Sequence, residues 1–215
     1  MKKNIWLIGL FCGVIFCCYI ILRLRTEARL NDASAVLKKM QRSLVFSNRS
    51  DYVSCFYGDD KCMALVNKSF DLDQAVYAFD DALTNKFGPL AVEEYYEYQS
   101  TNDQLPSFTF NGVPRDIDWA SSVVLTRELD KFSFLNPQTG FVNYIILVNG
   151  GWKIDCKSLL PPGADPTALV KFSDDAVQFL DVAKSNVMLP QMSIGDLKDR
   201  MAKVWLSAHP EMRPE

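Results

Sequence analysis

From Ile5 to Leu22 the chain runs eighteen residues without a charged side chain, preceded by Met1-Lys2-Lys3-Asn4 and closed by Arg23 and Arg25. As a helix rising about 1.5 Å per residue, such a run spans roughly 27 Å, close to the ~30 Å hydrocarbon core of a bilayer. A cleaved secretory leader has a shorter apolar region followed by a small-x-small cleavage site. Here Leu22 leads into Arg-Leu-Arg, and the first Ala-x-Ala, Ala33-Ser34-Ala35, comes too late. The expectation is therefore an uncleaved signal anchor over residues 1–25, with residues 5–22 in contact with lipid. Gly9, Gly13 and Cys17 stand four apart in it, which gives that helix one small face against which a second helix can pack.

Two signals disagree about which side the remainder faces. Lys2 and Lys3 precede the run, whereas Arg23, Arg25, Arg29, Lys38, Lys39 and Arg42 come after it. Counted literally, the positive side stays in the cytoplasm and takes the domain with it. A short basic tail ahead of an apolar run is, conversely, the layout of an anchor that exports the chain beyond it. The expectation adopted is a single-pass membrane protein with its C-terminal domain outside the cytoplasm, periplasmic in an envelope of two membranes; the cytoplasmic orientation stays open.

About 190 residues remain beyond the anchor, enough for one well-buried core. Residues 26–215 hold 19 basic and 26 acidic side chains, and nowhere do five Lys or Arg cluster. That balance argues against nucleic acid as a partner, since a duplex needs several cations on one face. Outside the anchor the cysteines are Cys55, Cys62 and Cys156. The segment from Cys55 to Cys62 is short, with Gly58 and Asp59 at its middle, and a disulfide would close it in an oxidising compartment, leaving Cys156 free. Three unpaired thiols are the alternative and suit a cytosolic domain.

Periodicity divides the chain. Residues 26–58 read as an amphipathic helix and a connector, with Ala33, Val36, Leu37, Met40 and Leu44 on one stripe. A second helix starts after Asp59-Asp60, places Leu65, Leu72, Val76, Phe79, Leu83 and Phe87 on one side, and stops at Gly88-Pro89. A third runs to about Gln99, and residues 100–118 read as irregular. The pattern then changes to strands: Ser121–Arg127 is rich in β-branched residues, Leu129–Leu135 alternates, and Phe141–Val148 is apolar on both faces, as for a central strand covered on each side. Asn149-Gly150 is a strong hairpin signal, because both residues tolerate positive φ. Trp152, Ile154 and Cys156 alternate with Lys153, Asp155 and Lys157 on the return strand. Residues 59–162 thus form an α+β domain, and 163–215 a helical extension opened by Asp165-Pro166 and by the capping box Ser193-x-x-Asp196.

Helices leading into an antiparallel meander, with Gly150, Gly151, Trp152, Lys153, Ile154 and Asp155 on the last hairpin, resemble the NTF2-like superfamily (SnoaL-like, ketosteroid-isomerase-like) over roughly residues 60–160. The resemblance implies helices packed on a curved antiparallel sheet, a conical pocket, and Trp152 filling the core. Members include isomerases, hydratases, and many proteins without chemistry, and anchored members serve as accessory subunits of secretion and lipid-transport machines. Fold alone therefore names no function.

The residues offer little catalytic machinery. The single histidine, His209, lies near the end of the chain, which speaks against a His-rich metal site or a histidine-activated nucleophile. Neither a phosphate-binding Gly-rich loop nor a dinucleotide fingerprint is present, and no cofactor is implied. An isomerase-like pocket would need a buried carboxylate as base and a tyrosine as hydrogen-bond donor; Asp118 with Tyr144 or Tyr96 are the candidates. The functional expectation is an anchored, non-enzymatic binding or assembly module, self-associating or holding a protein partner. The alternatives are an anchored isomerase- or hydratase-type enzyme and a structural envelope protein. A pocket holding a buried Asp near a Tyr hydroxyl would favour the enzyme; a pocket filled by side chains would favour the module.

Overall fold

A computed structural model of the chain describes residues 26–101, 119–136 and 140–209. Helix α1 covers residues 26–45 and buries Ala33, Leu37, Met40 and Leu44, one apolar residue per turn. It ends where Ser47 takes a left-handed conformation (φ 53°), Ser47 N–H donating to Leu44 and Asn48 N–H to Ser43. This paired closure is the one glycine usually provides at a helix end. Asn48 then caps α2 (Arg49–Ser54), its side chain accepting from Asp51 N–H.

The short strand β1 (Phe56–Tyr57) leads into α3 (Asp60–Phe87), a 28-residue helix capped at its start by the Asp59 side chain, which accepts from Cys62 N–H. Helices α4 (Ala91–Thr101) and α5 (Trp119–Ser122) precede a meander of β2 (Thr126–Arg127), β3 (Lys131–Leu135), β4 (Val142–Val148) and β5 (Gly151–Asp155). Asn149 (φ 51°) and Gly150 (φ 80°) make the tight β4–β5 turn. A single 3-10 turn, Cys156–Leu159, comes next, and α6 (Pro166–Val187) and α7 (Ile194–Ala208) complete the fold. Asp165 and Ser193 cap these two helices, accepting from Thr167 and Asp196 N–H.

The α+β class expected from the sequence holds, but its purely antiparallel sheet is corrected. The five strands run in the order β1-β5-β4-β3-β2, and β1 pairs parallel to β5 with Phe56 opposite Ile154. The cause lies in the connector: α2 turns the chain so that Phe56 is buried beside Ile154, adding an edge strand of only two residues. The inner sheet face carries Phe132, Phe134, Ile145 and Ile154, all nearly fully buried. On β4 the other face leaves Val142 exposed and Tyr144 and Ile146 half-buried, so this strand is covered on one side, not on both. Trp152 is half-buried, packed edge-on against Phe132 at 5.0 Å.

Helix α3 is buried along two stripes. Cys62, Val66, Phe70, Asp73 and Tyr77, one turn apart, face α1 and the sheet; Leu72, Phe79, Ala82 and Leu83 face α4, α6 and α7. One helix is thereby the shared wall of two cores. In the second, Trp205 is 1% exposed and meets Phe179 edge-on at 5.3 Å, while Phe79 meets Tyr95 in the same way at 5.0 Å.

The membrane-spanning, single-pass architecture is also corrected. No helix among the described residues is long and apolar enough to cross a membrane. The long helices carry charge along their length, Lys61, Lys68, Asp71, Asp80 and Lys86 in α3 and Lys171, Asp174, Asp181 and Lys184 in α6, each costly in hydrocarbon. The stretch expected to span, Ile5–Leu22, lies outside the described residues together with Gly9, Gly13 and Cys17. The membrane localisation and the exported side inferred from it accordingly have no structural support.

Candidate functional site

Between α1, the sheet-facing stripe of α3, and the sheet lies a cavity of about 150 Å³. Its walls are mainly apolar: Met40 and Leu44 from α1, Phe56 from β1, Val66 from α3, Phe134 and Ile154 from the sheet. Leu160 and Pro161, after β5, and Leu169, on α6, line it as well. Proline and the 3-10 turn keep that segment from continuing the sheet, so it folds across the cavity towards α6.

Six polar side chains break this apolar lining: Tyr52, Ser69, Asp73, Asn136, Asn143 and Ser173. Asp73 is 6% exposed, and among the described residues no group hydrogen-bonds to its carboxyl. Burial alone pushes that carboxyl well above the usual carboxylate range, because removing a charge from water disfavours the ionised form. Tyr52, held between the rings of Phe56 at 5.0 Å and Phe70 at 5.3 Å, is equally buried. Its hydroxyl is pushed up by burial first and by the neighbouring Asp73 charge second. Asn143 sits on the inner face of β4 opposite Phe134, 1% exposed, and its Oδ1 has no hydrogen-bond partner among the described residues. Native interiors leave few such atoms unpaired, since each costs about 1–3 kcal/mol. Ser173, also on the wall, is satisfied by donating to the Leu169 carbonyl at 2.9 Å.

The chemistry of this set is that of recognition in a largely apolar cavity. A protonated Asp73 donates one hydrogen bond and accepts another, while Asn143 Oδ1 accepts. Among the described residues no three metal-ligating side chains converge. Cys156 lies on the wall, but burial, then the neighbouring Cys62, pushes its thiol up and away from the reactive thiolate. His209 is elsewhere, stacked on Trp205 at 4.0 Å in the helical region.

Of the catalytic candidates read from the sequence, Tyr144 and Tyr96 lie away from this cavity. Asp118 lies outside the described residues. Tyr144 is on the other face of β4, its ring under the Lys131 ammonium at 3.5 Å. Tyr96 belongs to α4, where its hydroxyl donates to Asp80 at 2.8 Å, and burial, then the Asp80 charge, pushes it up. Cys55, Cys62 and Cys156 are all buried free thiols. Of the cavity's own polar residues, Asp73, Tyr52 and Asn143 belong to no motif that marks them in the sequence. One signal for Asp73 is present: it falls on the one-turn spacing Cys62, Val66, Phe70, Tyr77, a carboxylate within an apolar stripe.

No protein-family model matches the chain, and neither a curated protein nor a solved structure does.

Proposed function

We propose that this protein is a binding module whose ligand is a small, largely apolar molecule of about benzene size carrying one hydrogen-bond donor. The observation behind this is the largely apolar cavity of about 150 Å³ whose buried Asn143 Oδ1 lacks a partner among the described residues. An apolar cavity of that volume holds a benzene-sized molecule, and enclosed apolar pockets with a few convergent polar groups are the usual form of a ligand site. The ligand's donor satisfies Asn143, and Asp73 offers a second polar anchor. The NTF2-like resemblance belongs to this reading, since a pocket between sheet and helices is what it implies.

The test is thermal stabilisation by phenol and benzyl alcohol, with benzene as the apolar control. At a ligand concentration of 100 Kd the expected gain is about 2.7 kcal/mol. Asn143→Leu, which removes the acceptor at similar volume, should invert the preference in favour of benzene. An unchanged preference, or no shift with any of the three at millimolar concentration, would defeat the proposal.

A second reading, an isomerase- or hydratase-type enzyme, draws on one observation, that the buried Asp73 and Tyr52 line the same cavity. A carboxyl with raised proton affinity in an apolar pocket suits general acid–base work near neutral pH. Turnover that Asp73→Asn abolishes while leaving ligand binding intact would favour this enzyme over the module.

A further inference from the structure

The three thiols differ in their neighbours. The Cys55 Sγ donates to the Asp51 carbonyl at 3.3 Å, beside its own helix α2. Cys62, in the first turn of α3, and Cys156, just after β5, instead meet across Gly58. A β-carbon placed on Gly58 would lie 3.1 Å from Cys62 Cβ, 2.9 Å from Cys156 Cβ and 3.3 Å from Cys156 Sγ. The two cysteine β-carbons are therefore neighbours on either side of a position that has no side chain. Each thiol is also close enough to shift the other's proton affinity.

We propose that Cys62 and Cys156 are a redox pair that closes to a disulfide, tying the start of α3 to the end of β5, with Cys55 left as a thiol. A disulfide requires β-carbons about 3.5–4.5 Å apart. From the present arrangement that is a closing movement of order 2 Å at most, into space that glycine leaves open. The oxidant is a low-molecular-weight disulfide such as oxidised glutathione. One cysteine thiolate attacks it, forming a mixed disulfide and expelling one glutathione thiolate. The second cysteine gives up its proton, attacks the protein sulfur of the mixed disulfide and expels the second glutathione thiolate. The pair loses two electrons and two protons, and oxidised glutathione gains them as two thiols. Burial raises both thiols and moves Cys156 further, so Cys62 makes the first attack even though the neighbouring Asp59 carboxylate also raises it. Cys156 also lines the ligand cavity, so the bond would form part of its wall. Closure of the bond does not depend on what that cavity binds.

The test equilibrates the full chain with graded ratios of reduced and oxidised glutathione. A parallel sample is refolded from denaturant in the same buffers, so that burial cannot withhold the thiols from the reagent. Remaining thiols are alkylated and the protein is mapped by mass spectrometry without reduction. The expected product is a cross-linked peptide joining residues 62 and 156, equal in yield in the natural protein and in Cys55→Ser. The oxidised form should melt about 5–15 °C above the reduced form, because the bond closes a long loop. Gly58→Ala, which inserts a methyl group between the two β-carbons, should cut the yield several-fold. A dominant 55–62 or 55–156 cross-link overturns the proposal. So does alkylation of both Cys62 and Cys156 at the most oxidising ratio in both samples.

Discussion

The two cores that share α3 are built to different ends. On the helical side, Phe79, Leu83, Tyr95, Phe179, Leu180, Met201 and Trp205 are buried within one apolar cluster. On the sheet side the same helix faces a cavity with a lone buried carboxyl and an unpaired amide oxygen on its wall; among the described residues the buried Gln99 amide on α4 is also unpaired. Proteins close-pack their interiors where stability is the only demand. A cavity lined by polar groups costs free energy twice, in lost contacts and in desolvation. The contrast across one helix therefore separates the part of the molecule that holds it together from the part with room for a ligand.

The largest expected effect lies in the helical core. Trp205→Ala should cost about 3–5 kcal/mol, the range for deleting a buried large aromatic, read from urea unfolding. A loss under about 1 kcal/mol would mean that this side is not the better-packed one. Trp152→Ala, beside the turn of the β4–β5 hairpin, should cost less, about 2 kcal/mol, because the ring is only half-buried. Equal losses at the two tryptophans would erase the comparison.

The smallest effect concerns Asp73 and has a sign fixed by pH. The folded carboxyl titrates well above the unfolded one, whose value is near 3.9. Between those values the folded state binds a proton that the unfolded state has released, so stability falls as pH rises from about 4 towards the folded pKa. Asp73→Asn removes this dependence. It should match the natural protein near pH 4 and be the more stable of the two at pH 8. Parallel stability curves for the two proteins would show that Asp73 reaches water.

The sequence made local elements readable where one signal sufficed. Asn149-Gly150 turned the hairpin, Gly88 and Ser193 bounded their helices, and the stripe from Leu72 to Leu83 marked the face towards the helical core. The second stripe of α3 was hidden because it contains Asp73: one carboxylate among Cys62, Val66, Phe70 and Tyr77 resembles a polar face when only one apolar face is sought. Asn143, inside an apolar strand, carried no signal by itself, since its importance arises from the cavity it lines and not from its neighbours in the chain. Strand β1 was illegible for a similar reason. Two residues have no periodicity, and their assignment depends on a partner in β5.

That pairing of β1 with β5 bears on how the molecule assembles. The Ile154 N–H donates to the Cys55 carbonyl at 2.8 Å, so the edge strand finds its partner about a hundred residues downstream, and contacts of such separation form late. The β3–β4–β5 meander closes through short connections and can form as soon as it leaves the ribosome. Strand β1 has no strand partner until β5 exists, whereas α2 already meets α3 through Tyr52 and Phe70. The part of the ligand cavity walled by Phe56 and Ile154 therefore depends on this late pairing. Amide exchange should register this order, with Ile154 N–H losing protection before Ile145 N–H at the centre of the sheet.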